Sequence, residues 1–443
     1  MSGSALDREW TAGSLLRFAL PSVAMMIFMG LYTAVDTAFA ARFVNTDALS
    51  AINIVCPAVN LTVGLGTMLG AGGSAVVSRK MGAGETQEAR EDFTLLVLLG
   101  AAAGFLLLLA GAVWLDELIF ALGASPRLFP YCRDYLAVLL WFLPANMLQT
   151  MFSNLFAAAG KPGLGLGLSV LAGTANIALD WFFMALCGLG VRGAALGTGL
   201  GYLIPAASGL AYFMRRGGAL RFTRPRWRRP AVRESCLNGS SEMVGQLAAA
   251  ASTFLFNRAM MELLGEDGVA AITILIYSQF LLNTLYIGFS IGVAPVFGFN
   301  WGRKNGARQK KVFSASVRFL AAASVLVFLL ARLGGPWIAR LFAGESARVC
   351  QIASEGFSVF SYSFLFCGLN LFTSALFTAL SNGRVSAALS FLRTFGLLAG
   401  GILLLPRVWG VMGVWLAVPA AECVMFSVSA ACLFRFRRQY SLF

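Results

Sequence analysis

The sequence of 443 residues contains no histidine and little charge, with 12% charged and 58% hydrophobic residues. A soluble domain typically carries about 25% charged residues, so the composition excludes a water-soluble enzyme. Without histidine, the usual catalytic base and zinc ligand are missing, which leaves proton chemistry to carboxylates. Acidic residues are fewer than basic ones, with 20 Asp and Glu against 34 Lys and Arg. In so apolar a chain this excess indicates membrane topology and contact with the lipid bilayer rather than binding to nucleic acid.

Twelve apolar stretches follow one another, each long enough to cross a bilayer core of about 30 Å. They cover residues 15–41, 48–77, 93–121, 134–159, 164–188, 193–214, 239–264, 268–299, 312–342, 354–380, 386–406 and 410–434. The sequence therefore predicts an all-α polytopic membrane protein with twelve transmembrane helices. The N-terminal residues do not have the pattern of a cleaved signal peptide, so we expect the first apolar run to be retained as a span.

The basic residues are distributed unequally between the two sides of these spans. The side that holds both termini and the even-numbered connections carries 24 of the 34, eight of them in the linker after the sixth span. The opposite side carries eight, and Arg258 and Arg393 lie within spans. By the positive-inside rule, both termini are expected to be cytoplasmic.

The chain contains an internal repeat, in which one constant shift matches several distant positions. The shift superimposes Gly82 on Gly302, GVRGAAL (190–196) on GVMGVWL (410–416) and NTDALSAINIV (45–55) on GEDGVAAITIL (265–275). Each half has six spans, an even number, so the two halves have the same orientation. We therefore expect two six-helix lobes, 1–218 and 219–443, joined by the basic linker 215–238. Parallel repeats of this kind are a transporter architecture, with substrate bound between the lobes.

Two intramembrane aspartates have no counterpart in the second half. At the same shift, Asp36 corresponds to Phe256 and Asp180 to Gly400, and Pro21, which can bend the first span, corresponds to Ser241. A charge in mid-bilayer costs at least ~2.5–3.5 kcal/mol on insertion scales, so such residues are usually functional. The alternative is that each aspartate only hydrogen-bonds a neighbouring helix.

Further oxygen donors occur in the same half. Asn176 and Asp180 are spaced i,i+4 and so share a helical face; Asn154 lies in the fourth span and Thr198 in the sixth. This set, with Asp36, suits Na⁺ and equally suits a proton relay, and the sequence does not separate the two. We predict a cation-coupling site at these residues.

The second half has polar residues of another kind, and they form a candidate substrate cavity. Glu242 is the one acid of this half that we place near a span interior, and it could equally cap its helix or pair with a linker arginine. The candidate lining residues are Met29, Tyr32, Glu242, Gln246, Tyr277, Gln279, Asn283 and Asn370. Ordinary packing is the alternative for the apolar members of this set.

These features together resemble the multidrug and toxic compound extrusion (MATE) antiporters, over nearly the whole chain. The resemblance rests on Pro21 with Asp36, GAGGSAVVSRKMGAG (70–84), NLFAAAGKP (154–162), NIALDWFF (176–183), GVRGAALGT (190–198), GSSEMV (239–244) and GVAPVFGFNWG (292–302). It implies export of cationic or amphipathic compounds in exchange for H⁺ or Na⁺, by alternating access of two lobes. It also implies a cation site at Asp36, Asn176, Asp180 and Thr198, with Asn154 nearby, and bending of the first span at Pro21.

The expected protein is therefore a secondary antiporter that has no cofactor beyond its coupling ion and works as a monomer in a bacterial inner membrane. One rival is a flippase for lipid-linked saccharides in the same superfamily, which would need a cationic cavity. The other is a membrane scaffold without a transport cycle, in which the aspartates would be inert. An intramembrane enzyme has the least support.

Overall fold

The computed structural model describes residues 6–7, 9–43, 46–215, 218–343 and 346–443, without the side chains of 33–43, 46–49 and 343. In these ranges every regular element is helical: fourteen α-helices, two π-helical segments and one 3-10 turn. The α-helices are α1 (Ala12–Phe43), α2 (Thr46–Gly82), α3 (Thr86–Val113), α4 (Leu115–Ala121), α5 (Phe129–Leu140), α6 (Leu143–Ala158), α7 (Pro162–Asp180), α8 (Gly190–Met214), α9 (Arg229–Gly302), α10 (Gly306–Ala343), α11 (Ala347–Phe360), α12 (Phe364–Ala379), α13 (Gly383–Phe391) and α14 (Gly400–Phe436). The π-helical segments are Trp181–Leu186 and Leu392–Ala399, and the 3-10 turn is Ser361–Ser363.

The number of spans follows from the apolar helices and their breaks. In the described ranges nine helical segments are long and apolar enough to cross a membrane, and the bent pair α5 and α6 makes ten. Two segments are too long for one crossing: α9, and the run 383–436. Each is broken at a glycine with a left-handed φ, Gly265 (φ 67°) and Gly410 (φ 55°). These two breaks bring the number to twelve, and the predicted fold is confirmed.

Not every span is a straight helix. The predicted fourth span consists of α5 and α6, which meet at an angle of 61°. Pro144 stands in the first turn of α6 and has no backbone N–H to continue the hydrogen bonding of α5. The tenth span likewise consists of α11 and α12, joined by the 3-10 turn.

The glycines that the repeat paired occupy matching conformations. Gly190 and Gly410 both have a left-handed φ, 56° and 55°, which glycine adopts without steric cost. Three positions later, Gly193 packs against the carbonyl of Phe183 and Gly413 against that of Leu405, so each permits a close helix–helix approach. The sharp turn between the fifth and sixth spans is thus repeated between the eleventh and twelfth.

The two halves meet in a crossing that has the same symmetry. A β-carbon at Gly82 would overlap the carbonyl oxygen of Phe299, and one at Gly302 would overlap that of Arg79. Arg79 itself corresponds to Phe299 under the shift that superimposes the two glycines. The ends of α2 and α9 therefore touch through two equivalent glycine contacts, on the side of the molecule that carries the basic loops.

The first helix also packs across to the second half. Gly288 of α9 lies against Ser22 and Val23 of α1, and Gly292 lies against Ala19.

The stretch 288–292 reads GFSIG, which matches the sequence pattern of a hydrolase nucleophile elbow. It lies inside a helix, however, and not at the strand-to-helix turn that such an elbow requires.

Candidate functional site

Asn176 and Asp180 lie buried against α8, with exposed fractions of 4% and 1%. Gly197 of α8 faces the carboxylate of Asp180, and a β-carbon there would overlap Oδ1. Gly201 faces Asn176, whose Cβ would lie 3.3 Å from an added β-carbon. Helices α7 and α8 are therefore antiparallel here, and two glycines one turn apart make room for the two polar side chains.

The glycines of α8 are a part of this site that our sequence analysis did not identify. Gly193, Gly197 and Gly201 recur at every fourth position and so form one small-residue face of the helix. Such faces let transmembrane helices approach closely. Here the face accommodates an acid and an amide, and the spacing was the signal that could have revealed it.

The first helix packs against the same face of α7, because Gly173 precedes Asn176 and Asp180 by three and seven positions. Phe28 and Tyr32 pack over Gly173, and the sulfur of Met25 lies 3.8 Å from a β-carbon built at Gly165. Later residues of α1 thus contact later residues of α7, which means that the two helices run parallel. The side chain of Asp36 lies outside the described residues. Its position in α1 is one turn beyond Tyr32, at the level where α7 carries Asn176 and Asp180.

The remaining predicted donors have different surroundings. Thr198 follows Gly197 on α8 and is partly buried. Asn154 is 6% exposed and donates hydrogen bonds from Nδ2 to the carbonyl of Thr150 (3.2 Å) and to Oγ of Ser153 (3.4 Å). Gly70 of α2 is its neighbour across the helix interface, where Nδ2 lies 3.3 Å from an added β-carbon. These contacts of Asn154 are with its own helix α6 and with α2.

Pro21 lies near the start of α1, inside a helix that continues past it to Phe43. It lines a cavity of about 520 Å³ with Arg17, Phe18 and Pro162. The helical rise from Pro21 to Asp36 is about 22 Å. Bending of α1 at this proline stays a prediction.

The predicted cavity residues are spread over three environments. Gln246, with its neighbour Met243, packs beside Gly64 of α2, and Glu242 is partly buried on the same stretch of α9. Met29, Tyr32 and Gln279 are partly buried, whereas Tyr277 is 58% exposed. Asn283 accepts a hydrogen bond from the Cys367 thiol of α12 (3.4 Å).

Asn370 belongs to a buried ionic network. Its Nδ2 donates to Oε2 of Glu422 (2.8 Å) and to the backbone carbonyl of that residue (2.9 Å). Arg393 donates to Oε1 of Glu422 from Nε (2.9 Å) and from a terminal nitrogen (2.6 Å). The same guanidinium contacts the sulfur of Cys367 at 3.2 Å. Arg393 stands in the second π-helical segment, a kind of irregularity that often marks functional positions.

This network corrects our interpretation of the second half. We expected Glu242 to be its one acid near a span interior, but Glu422 is 4% exposed in the middle of α14. Glu422 lies in the twelfth predicted span, in the stretch PAAECVMF (419–426). Pairing between Arg393 and Glu422, which lie in different helical segments, depends on the helix packing, which the sequence does not display.

Twelve spans in two repeated halves, with an acid and an amide buried in the first half, define a multi-pass membrane protein with transporter architecture. The MatE family model matches residues 21–182 and 243–399, more than half of the chain. The chain therefore belongs to the MatE family, a family of membrane transporters, and the predicted resemblance is confirmed.

Known proteins with similar sequences and structures span the chain almost completely. A multidrug export protein, MepA of Staphylococcus aureus (strain MRSA252), is 22% identical and covers 96% of this chain and 94% of its own length. The outward-facing structure of a multidrug resistance MATE transporter has a TM-score of 0.92 at 21% identity, covering 100% and 98% of the two chains. A Pyrococcus furiosus transporter, described as having a binding pocket of reverse polarity, has a TM-score of 0.91 at 21% identity, with 100% and 98% covered.

Proposed function

We propose that this protein is a secondary antiporter that exports cationic or amphipathic compounds in exchange for H⁺ or Na⁺. Coupling takes place in the N-lobe (1–218) at Asp36 and Asp180, with Asn176, Thr198 and Asn154 as neighbouring donors. The C-lobe (219–443) moves against it around a substrate site between the lobes.

The observation that carries this proposal is the burial of Asp180 at 1% exposure beside Asn176. A carboxyl group at mid-membrane depth is costly and is retained where it serves a function. The close approach of α1 to α7 supports the inclusion of Asp36, because the parallel run of the two helices brings its backbone to the same level. The names of the export proteins and multidrug transporters among the relatives support the substrate class.

The crossing of α2 and α9 supports alternating access. The lobes touch through Gly82 and Gly302, at the end that carries the basic loops. By the positive-inside rule this end is cytoplasmic, so the conformation described is closed toward the cytoplasm. Binding of the cation from outside would then favour release of substrate, and its passage inward would reset the cycle. The membrane is a bacterial inner membrane, as the origin of the relatives suggests.

The charge of the C-lobe supports the antiporter over the flippase. A flippase for lipid-linked saccharides needs free cations for a pyrophosphate. Arg393 is already neutralised by Glu422 at 2.6 Å, and Arg258 pairs with Glu262 at 3.0 Å. The intramembrane arginines thus offer no net positive site.

The test is ethidium efflux from proteoliposomes under a separately imposed pH or Na⁺ gradient. We expect Asp36→Asn and Asp180→Asn each to abolish efflux, and the effective gradient identifies the ion. Asp116→Asn is the matched control: Asp116 is exposed in α4 and its partner is Arg133 at 2.9 Å, so efflux should be unchanged.

Retained efflux in both N-lobe variants would overturn the site, and coupling would then have to be sought at Glu242 or Glu422. Failure of the wild type under either gradient would overturn the substrate class and favour the flippase or scaffold. Monodisperse elution of each variant in detergent separates a transport defect from misfolding.

A further inference from the structure

A cavity of about 530 Å³ lies where the ends of α2 and α9 cross. Three segments form its wall: the loop after α2, the loop after α9 with the first turn of α10, and the end of the chain. The wall residues that matter here are Arg79, Lys80 and Glu85 from the first half, and Asn300, Lys304 and Gln309 from the second. The volume is that of a small-ligand site, and it is shared between the two lobes.

The wall contains one cation that no carboxylate of the described chain neutralises. Three cations, Arg79, Lys80 and Lys304, face one carboxylate, Glu85. Arg79 pairs with Glu234 (2.9 Å), and Lys80 pairs with both Asp92 (2.6 Å) and Glu88 (3.0 Å). Lys304 is exposed and forms no ion pair with any residue of the described chain. Its ammonium group is therefore available to an anion.

Two buried amides in the wall lack hydrogen-bond partners. Gln309 is 2% exposed, and neither its Nε2 nor its Oε1 has a partner among the residues described. Asn300 is 1% exposed; its Nδ2 donates to the carbonyl of Val296 (2.8 Å), but Oδ1 has no partner in the same part of the chain. A buried polar group without a partner costs about 1–3 kcal/mol, so two in one wall point to a polar ligand.

We propose that this cavity binds a phosphate group, supplied by an anionic lipid headgroup or by a soluble phosphate compound, and that the bound group holds the lobes closed at this face. Lys304 supplies the counter-charge and Nε2 of Gln309 a hydrogen-bond donor. The acceptors Oδ1 of Asn300 and Oε1 of Gln309 suit the hydroxyl of a monoprotonated phosphate or of a glycerol headgroup.

Because residues of both lobes line the cavity, a bound ligand can stabilise the arrangement in which the lobes are in contact. Separation of α2 from α9 at Gly82 and Gly302 would divide the wall, so the ligand binds the closed arrangement more tightly than the open one. A ligand with such differential affinity shifts the population toward the state that it prefers. The site is thus regulatory, and it does not depend on the identity of the coupling ion.

The experiment uses the full chain in phosphatidylcholine nanodiscs. One arm adds inorganic phosphate and measures its affinity by calorimetry. The other arm incorporates phosphatidylglycerol and counts the retained lipid by native mass spectrometry. Thiol labelling of Cys236, which follows the interface residue Ser235 on α9, reports in both arms on the separation of the lobes.

The test variant combines Lys304→Gln with Gln309→Leu. We expect at least a tenfold loss of affinity for the probe that binds, equivalent to about 1.4 kcal/mol. Replacing a buried unsatisfied amide by an apolar side chain of similar size is neutral or stabilising, so this variant is expected to fold. Lys310→Gln is the matched control, since Lys310 is exposed on the same helix and does not line the cavity.

Binding of phosphatidylglycerol alone identifies a lipid headgroup, and binding of phosphate alone identifies a soluble ligand; either supports the site if the double variant loses it. The inference is overturned if neither probe binds. It is also overturned if Lys310→Gln weakens binding as much as the double variant does, because that result reports general surface charge.

Discussion

The carboxylate of Asp180 occupies the space in which a side chain at position 197 would begin: a β-carbon added to Gly197 overlaps Oδ1. Gly197→Ala is therefore expected to displace the carboxylate and to reduce ethidium efflux at least tenfold. Forced displacements of this kind in a packed interior cost about 1–3 kcal/mol.

The control for this change is Gly167→Ala on α7, where an added β-carbon meets nothing within 4 Å. It should retain efflux and gain slightly in stability, since alanine favours a helix by about 0.5–1 kcal/mol over glycine. Equal activity of the two variants would contradict the close placement of Asp180 against α8.

The crossing of α2 and α9 predicts two equivalent wedge mutations. Gly82→Ala and Gly302→Ala each place a methyl group on a carbonyl oxygen of the other half. Both should open the face that carries the termini and raise the labelling of Cys236 several-fold. Gly245→Ala, which has open space around it on α9, is the control. A response to only one of the two wedges would argue against the symmetric contact.

The buried ion pair of the C-lobe predicts a rescue. Arg393→Met leaves Glu422, 4% exposed, without its cation, and such losses destabilise by about 3–5 kcal/mol. The double variant Arg393→Met/Glu422→Met should regain most of the thermal stability, because apolar replacements of buried pairs are often tolerated.

The exposed pair Arg258–Glu262 provides the comparison for this rescue. Removing one partner there should cost less stability than removing Arg393, since both side chains lie exposed on the surface of the protein and the pair is close to the helix break at Gly265. Thermal unfolding in detergent distinguishes the cases. If Arg393→Met were as stable as Arg258→Met, the ionic network around Glu422 would be refuted.

The contact of the N-terminal segment with the C-lobe predicts a pH dependence. A hydrogen bond from Arg303, and a second from Arg308 at 3.1 Å, hold the pKa of Asp7 below its ordinary value of 3.8. A lowered carboxyl pKa means that the contact is fully present above the ordinary pKa and is lost as the pH falls through the lowered value.

Between pH 8 and pH 5 the hydrogen-exchange protection of residues 9–16 should therefore stay constant after correction for intrinsic rates. Asp7→Asn should reduce this protection at every pH in that range. Loss of protection in the wild type between pH 7 and pH 5 would show that another group controls the segment.

Much of the fold follows from local sequence properties. Apolar length located the twelve spans, and the internal repeat paired Gly190 with Gly410, which have nearly equal φ angles in the structure. Helix spacing placed Asn176 and Asp180 on one face, and both are buried together. These features depend on residues close in the chain or on repetition, which a single sequence displays.

The sequence predicted less well which side chains from different helices contact one another. Asn154 was included with the coupling site as a polar residue within a span; it donates a hydrogen bond to Thr150 of its own helix, its contact with Gly70 of α2 depends on helix packing, and its role in coupling stays a prediction. Glu422 was missed, although it joins Arg393 and Asn370 in a buried ionic network.

The sequence by itself determined that this chain is a twelve-span membrane protein with a repeated half and two unmatched aspartates, because hydropathy and periodicity are properties of the chain alone. The tertiary structure decided which side chains pack against which glycines, that Arg393 neutralises Glu422, and that equivalent loops of the two halves line one cavity. Those relations depend on helix packing, where a single methyl group or one turn of register determines which groups meet.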